Sequence, residues 1–344
     1  MYYSEFHNHK WAANLAHARR LWQAGRFETL YRGEDLPDGD IFPGLRVMAA
    51  YWVSVEHEMP TRLKFLLQGS QHPEWREDAE IVTKSQTYLS RYLSDMRELI
   101  ARHAILPVEH FDALIAQGLD LPEDWADAMR TLQQNSEEAI ANGHFSAELL
   151  EAWLNSCLRS VANYNRYLIQ GAVTAAALFQ REGPQALRAA VDASAEEFMW
   201  EISRVFYATA LPQAGFEDIG DLMELGLRGM FADQWYESGQ ERQQGEATIR
   251  TSILKNCELA GIFDSVTAWE GLPPHSLGYG ICRYCEVHGA ATMMISMPPM
   301  VAPTYQRFQS FGMDGKECVF ELTTVPADDM QRILIVQEKV FGDQ

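Results

Sequence analysis

From about Lys10 to Arg188 the chain reads as one helix after another, parted only by short breakers, and that continuity restricts its first half to helix-on-helix packing. Between Ile81 and Ile105, apolar or aromatic Ile81, Tyr88, Leu89, Tyr92, Leu93, Met96, Leu99 and Ile100 return mostly at three- and four-residue steps, which gives one buried stripe. Pro107 ends that helix or lies just beyond its end. The same reasoning predicts helices over Phe111–Gln117, Trp125–Ala141, Ser146–Gln180 and Pro184–Phe206. Ser146 is a suitable N-cap, although Leu149 three residues on cannot complete a capping box. The stretch GEDLPDGDIFPG, residues 33–44, is a loop by its turn residues.

Beyond residue 210 the pattern changes. Two more helices are predicted, from Phe216 to about Tyr236 and from Gly245 to about Leu259. Thr292–Ser296, Thr304–Phe311 and Cys318–Thr324 have the length and composition of strands, with turn residues Met313-Asp314-Gly315 between the last two. Gln331–Val340 is apolar enough to return to the body as a strand or a helix. The expected fold is α+β: a mainly α-helical N-terminal region, residues 1–190, followed by a smaller α+β domain with a short antiparallel sheet, residues 191–344. A length of 344 residues suits two domains, and no repeat recurs at a fixed period.

Charge narrows the partners. With 28 Lys+Arg against 48 Asp+Glu the formal net charge is −20, so the far field repels phosphate backbones and anionic membrane surfaces, and no nucleic-acid or membrane partner is expected. The excess is uneven: residues 1–190 hold 18 basic and 25 acidic groups, residues 191–344 hold 10 and 23. A small anionic substrate therefore needs a local Arg or Lys. The start MYYSEFHNHKW lacks a basic n-region and an apolar h-region, and no apolar run reaches the roughly 18–20 residues of a membrane span. Five cysteines, an odd number, fit a reducing compartment, so the expected location is cytoplasmic. Amphipathic helices rich in Trp, Tyr and Leu leave a face for a two-fold partner, and a homodimer is the expected assembly.

The most concentrated chemistry lies in Cys282-Arg283-Tyr284-Cys285-Glu286-Val287-His288. On a helix Cys282, Cys285 and Glu286 share a face, and Cys285 and His288 are neighbours at i,i+3. A thiol beside an imidazole is drawn toward thiolate, and the same imidazole can protonate a leaving nitrogen. Three readings compete: small thiols filling a core, a nucleophilic Cys285 served by His288 and a carboxylate, and a zinc site built on the CxxC pair. No second CxxC or HxxxH pair supports the last, and no metal or cofactor is expected.

Weaker signals have bland readings. His7-x-His9 suits an exposed terminus better than a metal-hydrolase strand. Glu56-His57-Glu58 suits a solvated or capping role, because a di-metal bundle needs Glu-x-x-His pairs and the chain has none. Trp125, Trp153, Trp200, Trp235 and Trp269 read as helix-packing residues. GxGxxG after a strand, Walker A and GxSxG sequences are absent, which removes the usual anchors for NAD, ATP and serine-hydrolase chemistry.

Tyr284-Cys285-Glu286-Val287-His288, followed by Gly315-Lys316-Glu317-Cys318-Val319-Phe320, resembles the L-2-amino-thiazoline-4-carboxylic acid hydrolase-like family, itself distantly similar to 4-vinyl reductase domains. The resemblance covers residues 195–325, with His288 where an acidic residue is usual. It implies hydrolytic opening of a small heterocycle at a C–N bond, with Cys285 and Cys318 at the family's characteristic cysteine positions. The scheme expected for this chain has Cys285 attacking an amidine-like or amide carbon, His288 shuttling the proton and Glu286 orienting His288 or water. Arg283 or Arg307 would hold a substrate carboxylate, with Tyr284 in the same substrate-binding set. Two rivals stay open: a non-catalytic small-molecule sensor similar to 4-vinyl reductase domains, and a metal-dependent oxygenase or hydrolase using Glu56, His57, His103, His110 and His144.

Overall fold

The structure is a computed structural model that describes residues 10–36, 41–120, 125–205, 235–237, 242–254, 257–296, 301–314, 317–326 and 338–339. It is mainly helical α+β. In chain order the elements are α1 (Lys10–Gln23), α2 (Phe27–Arg32), the two-residue pair β1 (Glu34–Asp35) and β2 (Ile41–Phe42), α3 (Gly44–Ser70), a 3-10 turn (Pro73–Glu77), α4 (Ala79–Arg102), α5 (Val108–Ala116), α6 (Trp125–Ala141), α7 (Ala147–Glu182) and α8 (Pro184–Val205). Then follow β3 (Trp235–Glu237), β4 (Arg242–Gln244), β5 (Ala247–Leu254), α9 (Glu258–Trp269), α10 (Tyr279–Ser296), β6 (Val301–Gln309), α11 (Phe311–Asp314) and β7 (Cys318–Pro326).

Local chemistry accounts for the helix ends. Asp78 caps α4 by accepting the amides of Glu80 and Ile81 at 3.0 and 3.1 Å, and the helix then buries Ile81, Tyr88, Tyr92, Met96, Leu99 and Ile100 along the expected stripe. Ser146 caps α7 by accepting from the Leu149 amide at 3.1 Å. At 36 residues α7 is the longest described helix, about 54 Å long at 1.5 Å per residue. From Ser160 to Asn165 and from Gly171 to Leu178 it is buried on every side, so it serves as the central post. Helices α3, α4, α8 and α9 pack against it, and α10 packs against α8. One apolar cluster therefore runs from Trp11 to Val287 and takes in Leu259, Phe263 and Ile281 beside the N-terminal helices. The α3–α8 contact is close: a Cβ at Gly69 would stand 1.9 Å from the Ala190 carbonyl oxygen.

The sheet order is β3-β5-β7-β6, with β4 also paired to β5 and every pairing antiparallel. Several expectations are overturned here: β1 and β2 pair within the expected loop of residues 33–44, and Phe311–Asp314 forms α11 where a strand end and a turn were expected. Residues 245–259 form no single helix: Gly245 takes φ 64° in a turn, and Thr248, Ile249, Thr251 and Ile253 give β5 the β-branched content that a strand paired on both edges favours. Thr292–Ser296 is no strand but the last turns of α10, because a short apolar run next to an established helix continues it at little cost. The helix expected from Phe216 lies outside the described residues, except that Trp235 and Tyr236 belong to β3. Gln331–Val340 likewise lies outside them apart from residues 338–339. None of the described helices is long and apolar enough to cross a membrane.

Candidate functional site

Helix α10 presents Ile281, Tyr284, Cys285 and His288 on one face, at the i, i+3, i+4, i+7 spacing of a helical stripe. That face meets α3, where Glu58 and Arg62 stand one turn apart. Glu58, Arg62 and His288 are buried, at 4, 6 and 7% exposure, while Cys285 is only half-buried. Arg62 holds the group together. Its Nε donates to Glu58 Oε1 at 2.8 Å, Nη2 donates to the same oxygen, and Nη1 donates at 3.4 Å both to Cys285 Sγ and to the Ile281 carbonyl. His288 Nδ1 lies 3.4 Å from Glu58 Oε1. The guanidinium also stands 5.3 Å from the centre of the Phe198 ring, which packs against Tyr284 at 4.7 Å.

Burial alone would push the Glu58 carboxyl up, but the Arg62 cation and His288 outweigh it and hold the group at about 2. Burial would lower the Arg62 guanidinium, and Cys285 and Glu58 together raise it instead. Arg62 is thus a fixed positive charge, and negative charge developing on the Cys285 sulfur faces it at hydrogen-bond range. Behind Arg62 a hollow of about 10 Å³, bounded by Met59, Leu63, Phe263 and Tyr284, has room for one water.

The other expected site residues are dispersed around this group. Glu286 does not orient His288: it accepts from Arg283 Nη1 at 2.7 Å, and the carboxylate beside His288 is Glu58, from a helix more than 200 residues away. Arg283 is correspondingly engaged, with Asp192 at 3.6 Å as a second partner. Tyr284 turns inward to share a hydrogen bond of 2.7 Å with Ser194, and burial pushes its phenol up to about 12, with Ser194 and Arg62 opposing the shift. Cys318 is buried on β7 opposite Leu254. Arg307 stands on β6 opposite Phe320 beside a register shift, and its side chain lies outside the described residues.

Two further thiols, Cys257 and Cys282, lie near by. Cys257 caps α9, with Sγ 3.5 Å from the Ala260 amide, and burial raises its thiol well above the ordinary value, with Cys318, Cys285 and Cys282 adding to the rise. Cys282 accepts from Ser310 Oγ at 2.8 Å. No disulfide joins any of the five cysteines, and among the described residues no group of three His, Cys, Asp or Glu is arranged to hold a metal ion. His103, His110 and His144 are exposed, whereas His7 and His9 and the side chains of Glu56 and His57 lie outside the described residues. Trp153 and Trp125 are core residues as expected, with Trp153 donating to Ser136 at 2.8 Å.

Glu58 and Arg62 are the site residues that sequence reasoning missed, and the solvated or capping role expected for the Glu56–Glu58 stretch is wrong for Glu58. A signal was available. Arg62, Phe65, Leu66 and Gly69 follow the spacing of the buried face of α3, so an i,i+4 acid–base pair lies in register with an apolar stripe. No protein-family model, curated protein or solved structure matches this chain.

Proposed function

We propose that this chain is a hydrolase that cleaves a C–N bond of a small heterocyclic or amide-like substrate, with Cys285 as its nucleophile. The observation that supports the reading is the sulfur of half-buried Cys285 accepting a hydrogen bond from buried Arg62, which is itself locked to Glu58 beside His288. In this scheme the sulfur, as thiolate, forms a bond to the electrophilic carbon, and the displaced electron pair goes to the ring or amide nitrogen. His288 protonates that nitrogen as the C–N bond breaks. Glu58 Oε1 lies 3.4 Å from His288 Nδ1, and the scheme assigns the proton exchange to Nε2. Water then adds to the carbon of the thioester or thioimidate, the S–C bond breaks, and the thiol is restored. Arg62 opposes negative charge on sulfur at both stages, as oriented charge does in preorganised sites. The substrate is a small molecule, and the proposal places the chain in the reducing cytoplasm as a homodimer.

The test is turnover of 2-aminothiazoline-4-carboxylate and of simple cyclic amides, followed as ring opening. Cys285→Ala is expected to cut turnover by about three orders of magnitude or more while the fold persists. Iodoacetamide is expected to label Cys285 ahead of Cys157, whose thiol burial pushes up to about 12. Full turnover by the Cys285→Ala protein would remove the sulfur from the reaction and leave the hydrolase reading without its nucleophile.

A further inference from the structure

Six residues before Cys285, at the start of α10, lies a separate hollow of about 160 Å³. Its apolar walls are Phe179 at the end of α7, Pro184 and Leu187 at the start of α8, and Met313 of α11. Its polar lining is Arg188, His275, Ser276 and Tyr279, with two carboxylates just behind it: Asp192 accepts from the Tyr279 hydroxyl at 2.6 Å, and Asp264 stands beside His275. Arg188 lies 5.1 Å over the Tyr279 ring, which positions the guanidinium at the rim without neutralising it, and among the described residues no carboxylate pairs with it. In a chain of net charge −20 such a cation is conspicuous.

His275 lines the same hollow with its backbone at φ 61°, a left-handed conformation that side chains other than glycine rarely adopt. Its Nδ1 is 3.2 Å from Asp264 Oδ1, so Nε2 is the ring atom left for an occupant. The neighbouring Ser276 hydroxyl, also in the lining, is buried with no hydrogen-bond partner among the described residues. The 22-residue α8 begins at this hollow with no acidic residue in its first turn, whereas the Gly280 and Ile281 amides at the start of α10 already donate to the Leu277 and Gly278 carbonyls.

We propose that this hollow is a second binding site, for a small carboxylate with a flat apolar body. The carboxylate sits between Arg188 and His275, and the body lies against Phe179, Leu187 and Met313. An occupant would touch the first turn of the helix that bears Cys285 and His288. That turn has little freedom to yield, because a Cβ at Gly278 would stand 1.5 Å from the Gly312 carbonyl oxygen, so the site is tied to α11 as well as to α10. Nothing in this proposal depends on the hydrolase reading.

The experiment is calorimetric titration of the full chain with benzoate, with its neutral isostere benzamide, and with inorganic phosphate. Benzoate is expected to bind saturably, benzamide about tenfold or more weakly, and phosphate more weakly than benzoate because it has no body to bury. Arg188→Ala, an exposed position on α8, is expected to weaken benzoate about tenfold with an unchanged thermal unfolding midpoint, whereas Cys285→Ala leaves benzoate affinity as it was. Equal affinity for benzoate and benzamide, undiminished binding by the Arg188→Ala protein, phosphate binding tighter than benzoate, or no saturable benzoate binding at all would each overturn the proposal.

Discussion

A carboxylate and a guanidinium withdrawn from water together, as Glu58 and Arg62 are, lose hydration that only their mutual contact offsets. Removing one partner leaves the other charge buried alone. Glu58→Gln is therefore expected to destabilise the chain by about 3–5 kcal/mol in urea unfolding, more than its conservative shape suggests. The same residue sets an acid limit. Its carboxyl sits at about 2 in the folded chain against an ordinary 4.5, so the contribution is present in full above pH 4.5 and is lost as pH falls toward 2. At full size it is on the order of 3 kcal/mol, and the stability gap between the native and Glu58→Gln chains is expected to narrow over that window. A gap independent of pH would show that Glu58 carries no such charge. The triplet Glu56-His57-Glu58 taken alone reads as solvated; only the i,i+4 partner Arg62, in register with the apolar stripe of α3, marks Glu58 as a buried residue.

At the scale of elements, the site depends on how closely α3 lies on α8 and α10. Gly69 permits the α3–α8 approach, and Gly69→Ala would drive a methyl into the Ala190 carbonyl. The expected result is a loss of about 1–3 kcal/mol, with Cys285 becoming slower to label as α3 shifts and Arg62 withdraws from the sulfur. Unchanged labelling would show that α3 position does not govern the sulfur. Helix spans in the N-terminal half were readable because periodicity and caps are local: α4, α6, α7 and α8 begin and end within a few residues of their expected bounds. Beyond residue 240 the same method failed three times, at β5, at the end of α10 and at α11. There the short segments carry ambiguous local preferences, and pairing with β7 or continuation of a helix decides between them.

For the whole molecule, Arg62 and Cys285 are 223 residues apart in sequence yet share a hydrogen bond, so the candidate site exists only when the N-terminal helices and α10 are packed together. A fragment of residues 191–344 would leave Ile281 and Tyr284 without the α3 and α7 surfaces they bury against, and it would lack Arg62 altogether. It is expected to aggregate or to show Cys285 labelling no faster than that of a small thiol, measured against the full chain; a soluble fragment that retained the full chain's labelling rate would place the control of this sulfur within residues 191–344.

The sequence by itself determined the helical first half, the Ser146 cap, most of the strand expected over Thr304–Phe311 and that over Cys318–Thr324, and the placing of a thiol and an imidazole one turn apart at Cys285 and His288. Each of these follows from neighbours a few residues away along the chain. Tertiary structure alone decided that Glu58 rather than Glu286 stands beside His288, that Arg62 reaches the sulfur, and that Arg283 and Glu286 satisfy one another. Those outcomes depend on which helix faces are pressed together, and the free energy of that pressing comes from apolar surface spread over the whole core, whereas local spacing records only which face of each helix is apolar.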